Sequence, residues 1–447
     1  MAGNPSRRAV LGAILGAGVG GAALSPLSGL FDTAAPLSGG AWRGRYVSVP
    51  ETVSSPHGDA TVTYDDYHVP HVEADDEAAA YYAVGFVHAA DRLFQMDLIR
   101  RLMDGRVAEV VGEAGLESDR FNAEMDFRGA AEATQEALAG SRTETLSEAY
   151  ADGVNAYIDE GPRPLEFDVL GYEAEPWDVI DTLLVGQQIS WGLTGSFDPL
   201  RREVLRERLD ADTYERFYDT PLDHGAPILR DGTTGDVEGV GPTARFGSID
   251  PAFVDELATH EPPPLWGSNH WAVSGRHTES GSPILAYDPH LTLMAPPVWY
   301  EQHLVVGDVD VRGATFPGIP FVIVGENDHG AWGFTNTGAD VIDFYTYETQ
   351  DDGAAYRYGD EVREFQTRTE TIAVADGDDV ERTPDPLETG TYVHDTLERF
   401  FTGLQSEPGE AVDLRQYDRS DLEARMLRAA EDELAAADFA YSGPFYR

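Results

Sequence analysis

Two residue types are absent from this chain, and their absence narrows the chemistry it can perform. The sequence contains no cysteine and no lysine, and all 31 basic residues are arginine. That removes a thiolate nucleophile, a Cys-bound zinc, a disulfide framework, a lysine Schiff base, a Ser-Lys dyad and a Walker A loop. A nucleophile must then be Ser, Thr, a carboxylate or an activated water. The sharpest candidate is Trp266-Gly267-Ser268-Asn269-His270-Trp271, directly after Pro262-Pro263-Pro264. A Gly-Ser step at such a junction suits intramolecular cleavage. Glycine lets the backbone approach closely in a strained conformation, and the Ser268 hydroxyl can attack the Gly267 carbonyl. Taken alone, a Gly-Ser step in a loop is a weak signal. No G-x-S-x-G elbow supports an α/β-hydrolase reading. His68 and His71 are spaced like metal ligands, which with carboxylates would suit a metal-dependent hydrolase. They flank the turn at Pro70 and read as structural.

The elements around these residues change character along the chain. Ser6-Arg7-Arg8 precede an apolar Gly/Ala-rich run, Ala9 to Leu24, and residues 1–40 read as a twin-arginine-like export signal. A retained membrane anchor is the alternative, but the run is shorter than the roughly 20 apolar residues a span needs. Residues 41–231 are mainly helical in pattern. A short strand at 60–64 comes first, then a helix from Glu77 capped by Asp75 or Asp76, and further periodicity over 130–159 and 179–209. Residues 232–267 read as a solvated Gly/Pro-rich linker. From Ser268 onward, short Val-, Ile- and aromatic-rich runs at 268–274, 284–287, 298–306, 309–315, 321–325 and 331–335 predict an antiparallel sheet. Helices first and strands second give an α+β layered fold.

Composition sets the medium. The chain has 447 residues, 42% hydrophobic and 10% aromatic, which is enough for a sizeable core. Its 80 acidic residues leave a net charge of −49, spread along the whole length. Such self-repulsion is tolerable where salt screens it, so the sequence reads as adapted to a hypersaline medium. Nucleic acid is excluded as a partner on the same ground.

Gly267-Ser268-Asn269, followed by Trp271-Ala-Val-Ser-Gly275, resembles the start of the β-chain of the penicillin acylase family. So do Leu285-Ala-Tyr-Asp-Pro-His290, the stretch Pro296 to His303, Gly313 to Pro320, and Ala331-Trp-Gly-Phe-Thr-Asn-Thr-Gly-Ala-Asp340. Upstream, Val69-Pro-His71, Gly85 to Leu93, Gln95-Met-Asp97 and Gly105-Arg-Val-Ala-Glu109 are similar to the family's α-chain. The ordered series covers about Ser48 to Thr349, which makes the resemblance specific.

The resemblance implies a four-layer αββα N-terminal-nucleophile hydrolase fold and hydrolysis of an acyl amide through an acyl-enzyme on Ser268. Cleavage before Ser268 would free its own α-amino group as the base. On the same grounds His290 would hydrogen-bond around that amino group, and Thr337 would supply a backbone N–H to the oxyanion hole. Leu291 and Val324 would line the acyl pocket, or simply pack in the core. Asp340, the Ile342 carbonyl and Asp343, with Asp198 from the α-chain side, would hold a structural calcium ion, since calcium prefers hard oxygen donors. The family's oxyanion asparagine and a site arginine, both far down its β-chain, have no counterpart before Arg447. The fold is therefore expected to be incomplete at the C-terminus, and either a completing chain or an inactive fragment follows from that. A small-molecule acyl amide is the expected substrate.

The charge pattern makes the first testable expectation. Dialysis from molar to low salt should cost the protein its folded circular-dichroism spectrum, because 80 carboxylates then repel unscreened. An unchanged spectrum in low salt would contradict the halophilic reading.

Overall fold

Asp76 starts the longest helix among the described residues. Its backbone is extended and its carboxylate accepts the Ala79 N–H at 3.2 Å, so α1 (Glu77–Met103) begins where the sequence places a cap. The computed structural model describes residues 49–218, 254, 257–262, 267–291, 293–336, 342–344, 349–350, 354–358, 361–365, 369–382 and 391–393. The segment expected to direct export, residues 1–40, and most of the expected linker, residues 232–267, lie outside the described residues. The described residues fall into two compact units. One is drawn from Met1–Leu193, Pro262–Gly338 and Thr367–Asp385, the other from Thr194–Glu261, Ala339–Gln366 and Pro386–Arg447.

The first unit opens with strands β1 (Thr52–Ser55), β2 (Gly58–Tyr64) and β3 (Pro70–Ala74), two more than the helical reading of 41–231 contained. After α1 come α2 (Ala108–Val111), α3 (Leu116–Met125), α4 (Phe127–Leu138), α5 (Arg142–Glu160), α6 (Leu165–Leu170) and α7 (Val179–Thr194). The periodic run 130–159 divides at Gly140, whose φ is +75°, and at Ser141, whose hydroxyl accepts the Glu144 N–H to start α5. The run 179–209 divides before Pro199, which cannot continue a helix, into α7 and, in the second unit, α8 (Asp198–Arg208).

Beyond the linker the first unit adds β4 (Gly267–Val273), β5 (Ile284–His290), β6 (Tyr300–Val306), β7 (Val309–Thr315), β8 (Val324–Asn327) and β9 (Gly330–Trp332). One seven-stranded sheet runs in the order β1-β2-β3-β6-β7-β8-β9. Every joint is antiparallel except β3–β6, which is parallel and sets His71 opposite His303. That joint fuses strands from before and after the linker into one sheet. β4 and β5 form a separate two-stranded sheet. The second unit holds α8, α9 (Ala211–Tyr218), β10 (Ile342–Phe344), β11 (Thr349–Gln350), β12 (Ala355–Tyr358) and β13 (Glu361–Glu364). The hairpin β14 (Glu370–Ile372)–β15 (Val380–Arg382) belongs to the first unit, and β16 (Thr391–Val393) pairs with β10 in the second.

The core lies between α1 with α5 and the inner face of the sheet, where Val72, Leu304, Val84, Val87, Tyr150 and Val154 are buried. The two helices touch backbone to backbone. A Cβ on Gly85 would fall 2.0 Å from the Tyr150 carbonyl oxygen, and one on Gly153 would fall 1.9 Å from that of Tyr82. Only hydrogen fits at either crossing position.

A polar chain passes through this core. The Gly318 N–H donates to Tyr150 Oη at 3.1 Å, and the Tyr150 hydroxyl donates to His88 Nδ1 at 2.9 Å. His88 Nε2–H donates to Gln302 Oε1 at 2.8 Å, and the Gln302 amide donates to the Pro320 carbonyl at 3.0 Å. Because Pro320 offers only an acceptor, the amide orientation is set, and with it the histidine tautomer. Each member is satisfied, as buried polar groups must be. Burial pushes the His88 imidazole down to about 4.

Acid stability follows with a definite sign. An unfolded histidine takes up a proton below about pH 6.5, whereas folded His88 stays neutral down to about 4, so protons favour the unfolded chain across that window. The contribution is neutral above pH 6.5 and falls progressively to roughly 3 kcal/mol of lost stability near pH 4. Denaturant titrations of wild type and His88→Gln should therefore differ in slope over this window, the wild type losing more. Parallel slopes would contradict a neutral buried His88.

Candidate functional site

Ser268 is the second residue of β4, half-buried, and lies opposite Pro289 of β5. Its Oγ accepts the backbone N–H of Asn336 at 3.2 Å. Two contacts bring the 333–336 segment to this position. Gly333 lies so close to Tyr287 of β5 that an added Cβ would be 2.9 Å from the tyrosine Cβ. The Asn336 side-chain amide donates to the Leu193 carbonyl in the last turn of α7, satisfying an acceptor that the helix end leaves without an intrahelical partner. A nucleophile candidate, a backbone donor and a helix terminus thus meet within one unit.

Strand register decides what His290 can do. It lies opposite Gly267, so its main chain adjoins the Gly267–Ser268 step. Side chains alternate along a strand. The imidazole therefore lies on the face of Gly267 and Asn269, opposite to that of the Ser268 hydroxyl. Its Nε2 is 2.9 Å from Asp288 Oδ2 and 3.2 Å from Asn269 Nδ2. A carboxylate only accepts, so the shorter contact puts a hydrogen on Nε2, and the Asn269 amide then faces the ring with its oxygen rather than its nitrogen.

The remaining sequence candidates are dispersed. Leu291 packs against the main core. Val324 is half-buried at the start of β8, opposite Ala314. Thr337 and Asp340 lie outside the described residues, as does the side chain of Asp343. Asp343 pairs through its backbone with Tyr392, and Ile342 is buried opposite Val393. Asp198 is the first residue of α8, its carboxylate 2.5 Å from Arg202 Nε. α8 touches β10, the strand that carries Ile342. His68 sits at φ 64° stacked on Tyr64, whereas His71 faces His303, so the two histidines turn to different partners. Among the described residues no group of three or more His, Asp and Glu side chains is placed to hold a metal.

Asn336 is not among the sequence candidates, although it lies one position before the expected backbone donor Thr337 inside the same motif. Neither is His303, which has no local signal, because its partner is 232 residues away.

A family model described as penicillin amidase matches residues 59–432. The chain belongs to the penicillin amidase family. It is 35% identical over 355 residues to penicillin acylase 2 proenzyme from a Pseudomonas species, covering 77% of this chain and 44% of that protein. Acyl-homoserine lactone acylase QuiP from Pseudomonas aeruginosa is 32% identical over 302 residues, covering 65% of this chain and 34% of the relative. The chain thus spans less than half the length of either relative. A penicillin G acylase structure from Alcaligenes faecalis aligns with a TM-score of 0.33 at 26% identity, over 38% of this chain and 95% of the other.

Two of the family-like motifs in the first half make structural contacts. In Gln95-Met-Asp97 the fully buried Asp97 accepts from Arg100 at 2.6 Å, from Arg101 at 3.0 Å and from the Tyr172 hydroxyl at 2.8 Å. In Gly105 to Glu109, Gly105 adopts φ +66° and Asp119 accepts the N–H groups of Val107 and Ala108 at 2.8 and 2.6 Å. Glu109 ties Arg106 to Arg101. Burial raises the Asp119 carboxyl to about 6, against the opposing pull of those two amides.

Proposed function

We propose that this protein hydrolyses an acyl amide through an acyl-enzyme on Ser268, freed as a chain terminus by cleavage of its own Gly267–Ser268 bond. The observation that carries the reading is the backbone donor aimed at Ser268 Oγ, at the first step of a strand that follows a proline run. Attack by Oγ on the Gly267 carbonyl, with transfer of the chain to oxygen and hydrolysis of the ester, would leave Ser268 with a free α-amino group. Such a group titrates near pH 7.7–8.0 in general, which suits a base at neutral pH.

In turnover the amino group takes the hydroxyl proton as Oγ attacks the substrate carbonyl. The same proton then goes to the departing amine, and water releases the acid. The Thr337 backbone N–H would stabilise the oxyanion, and losing one such donor costs roughly 10²–10³ in rate. The imidazole of His290, on the other strand face, acts on strand order through Asp288 and Asn269. Leu291 and Val324 would border the acyl group.

The proposal extends to the finer architecture. The β4–β5 hairpin leaves Trp271 57% and Ile284 50% exposed. Two-stranded hairpins are marginal alone. Further β-chain sequence, in this polypeptide or a separate one, would cover it and complete the four-layer fold with the oxyanion asparagine and the site arginine. A calcium ion held by Asp198, Asp340, Asp343 and the Ile342 carbonyl would be structural. The donor set is all oxygen, as calcium requires, and the Asp198 carboxylate would have to leave Arg202. Export through the Arg7-Arg8 signal into a saline medium completes the reading.

Mass spectrometry of folded wild-type protein in molar salt, together with the completing sequence, should show a break before Ser268. Ser268→Ala should be uncleaved and lose at least roughly 10³-fold in amide hydrolysis, a magnitude typical of removing an attacking group. Ser268→Cys should still cleave, and His290→Ala should lose less than Ser268→Ala. An active Ser268→Ala enzyme would sink the assignment.

A further inference from the structure

We infer that His270 is the general base of self-cleavage, taking the Ser268 hydroxyl proton through one water while the α-amino group is still locked in a peptide bond. The inference rests on the proposed cleavage before Ser268 and supplies a step which that cleavage leaves open. In turnover the freed amino group serves as base. Before the Gly267–Ser268 bond breaks, the same nitrogen is an amide, whose lone pair is delocalised into the carbonyl. The first attack therefore needs another proton acceptor.

Strand geometry narrows the choice. Side chains at i and i+2 share a face, so His270 stands on the Ser268 face of β4, with Ala272 beyond it. Across the hairpin the same face carries Pro289, Tyr287 and Leu285. The His270 ring meets that of its cross-strand partner Tyr287 edge on, at 6.3 Å and 87°. Gly333 packs on Tyr287 and the Asn336 N–H reaches Ser268 Oγ, so one segment touches this face twice.

Apart from the nucleophile, only His270 and Tyr287 on this face of the hairpin can ionise. Burial pushes the Tyr287 hydroxyl above its usual value, so it keeps its proton. His290 and Asp288 lie on the opposite face and are bonded to each other. His270 remains. It is exposed, and its ring nitrogens have no hydrogen-bond partner among the described residues. Ser268 is left with a matching need. Its Oγ accepts the Asn336 N–H, but its own hydrogen has no acceptor among the described residues.

The spacing suits one water. Strands rise about 3.3–3.4 Å per residue, so Cα atoms two apart stand roughly 6.7 Å from each other. Side chains standing side by side across such a gap are beyond direct hydrogen-bond reach but within that of one bridging water. The hydroxyl proton passes through that water to the imidazole as Oγ bonds to the Gly267 carbonyl carbon. The imidazolium returns a proton by the same route to the Ser268 nitrogen as its bond to that carbon breaks. An ester and a free α-amino group result, and a second water hydrolyses the ester. His270 ends as it began, and the amino group takes over as base.

The test follows the break before Ser268 over time by mass spectrometry, in the folded full chain with the completing sequence in molar salt. General bases contribute roughly 10²–10⁴-fold, so His270→Ala should slow the break by at least roughly 10²-fold. Its circular dichroism should be unchanged, because the side chain is exposed. His270→Gln keeps a hydrogen-bonding side chain beside Tyr287 but cannot take the proton, and should be as slow. Imidazole added to His270→Ala should restore cleavage, which a merely structural role for the ring would not allow. Wild-type rates in either variant, or a slow His270→Ala chain that imidazole leaves slow, would overturn His270 as the base and leave the cleavage reading standing. A wild-type chain that folds yet stays whole would remove the cleavage reading and this inference with it.

Discussion

The backbone contact between α1 and α5, with the buried His88 chain beside it, is the constraint on which the rest of the first unit depends. Gly85 and Gly153 let the two helices meet with no side chain between them. At that distance Tyr150 reaches His88, and through it the helix pair is bonded to β6 at Gln302 and to the 316–320 turn at Gly318 and Pro320. A polar chain of this kind fixes one arrangement, because any slip leaves a donor or acceptor stranded in a dry core. β6 is thereby set in height against the helices. From β6 the chain passes through β7, β8 and β9 in register to the segment that carries Asn336 to Ser268. The order of the site is inherited from the core, one hydrogen-bonded joint at a time.

A chain of net charge −49 without lysine places several of its arginines indoors. Arg100 and Arg101 are almost fully buried, and both converge on Asp97. Arg100 also donates to the carbonyls of Glu175 and Pro176, and Arg106 bridges Glu109 and Glu175. The planar guanidinium suits this better than an ammonium, since its five donors satisfy several acceptors from one position. The burden of desolvation is offset only while the set stays whole, and removing one partner from such a group typically costs about 3–5 kcal/mol. The network anchors the end of α1 to the 172–181 segment and to α2. That gives Asp97 and the Gly105 to Glu109 run a structural role.

Much of this is legible in the amino-acid sequence, and the parts that are not share a cause. The Asp76 cap, the divide between helical and strand-rich halves, and the Gly267-Ser268 step at a strand start are local signals carried by neighbouring residues. The parallel β3–β6 joint, the Gly85–Gly153 contact and the His71–His303 pair are not local. Each depends on residues brought together by the fold, and no periodicity announces them. β1 and β3 leave no clear mark because short half-buried strands resemble the loops around them. The motif points to Thr337, which lies outside the described residues, and the N–H that reaches Ser268 Oγ belongs to its neighbour Asn336. It points to His290 as well, but only strand register shows on which face that ring lies.

That register bears on the choice of base. A serine hydroxyl and an imidazole on opposite faces of a two-stranded sheet have the backbone between them, and proton transfer needs heavy atoms within about 2.6–3.2 Å or one bridging water. The His290 ring is occupied with Asp288, while its main chain lies beside the Gly267–Ser268 step. On the proposed chemistry this is the useful arrangement. A nucleophile whose base is its own amino group needs no partner side chain, only backbone groups that hold the new terminus in place after the preceding residues have gone. Strand pairing supplies that through β5, and the Asn336 backbone N–H holds the hydroxyl while the side-chain amide of the same residue is braced on the Leu193 carbonyl. A hairpin too small to be stable alone is then the part of the fold where rigidity matters most. It acquires that rigidity from what packs on it, which is why the packing of Gly333 against Tyr287 belongs to the site as much as Ser268 does.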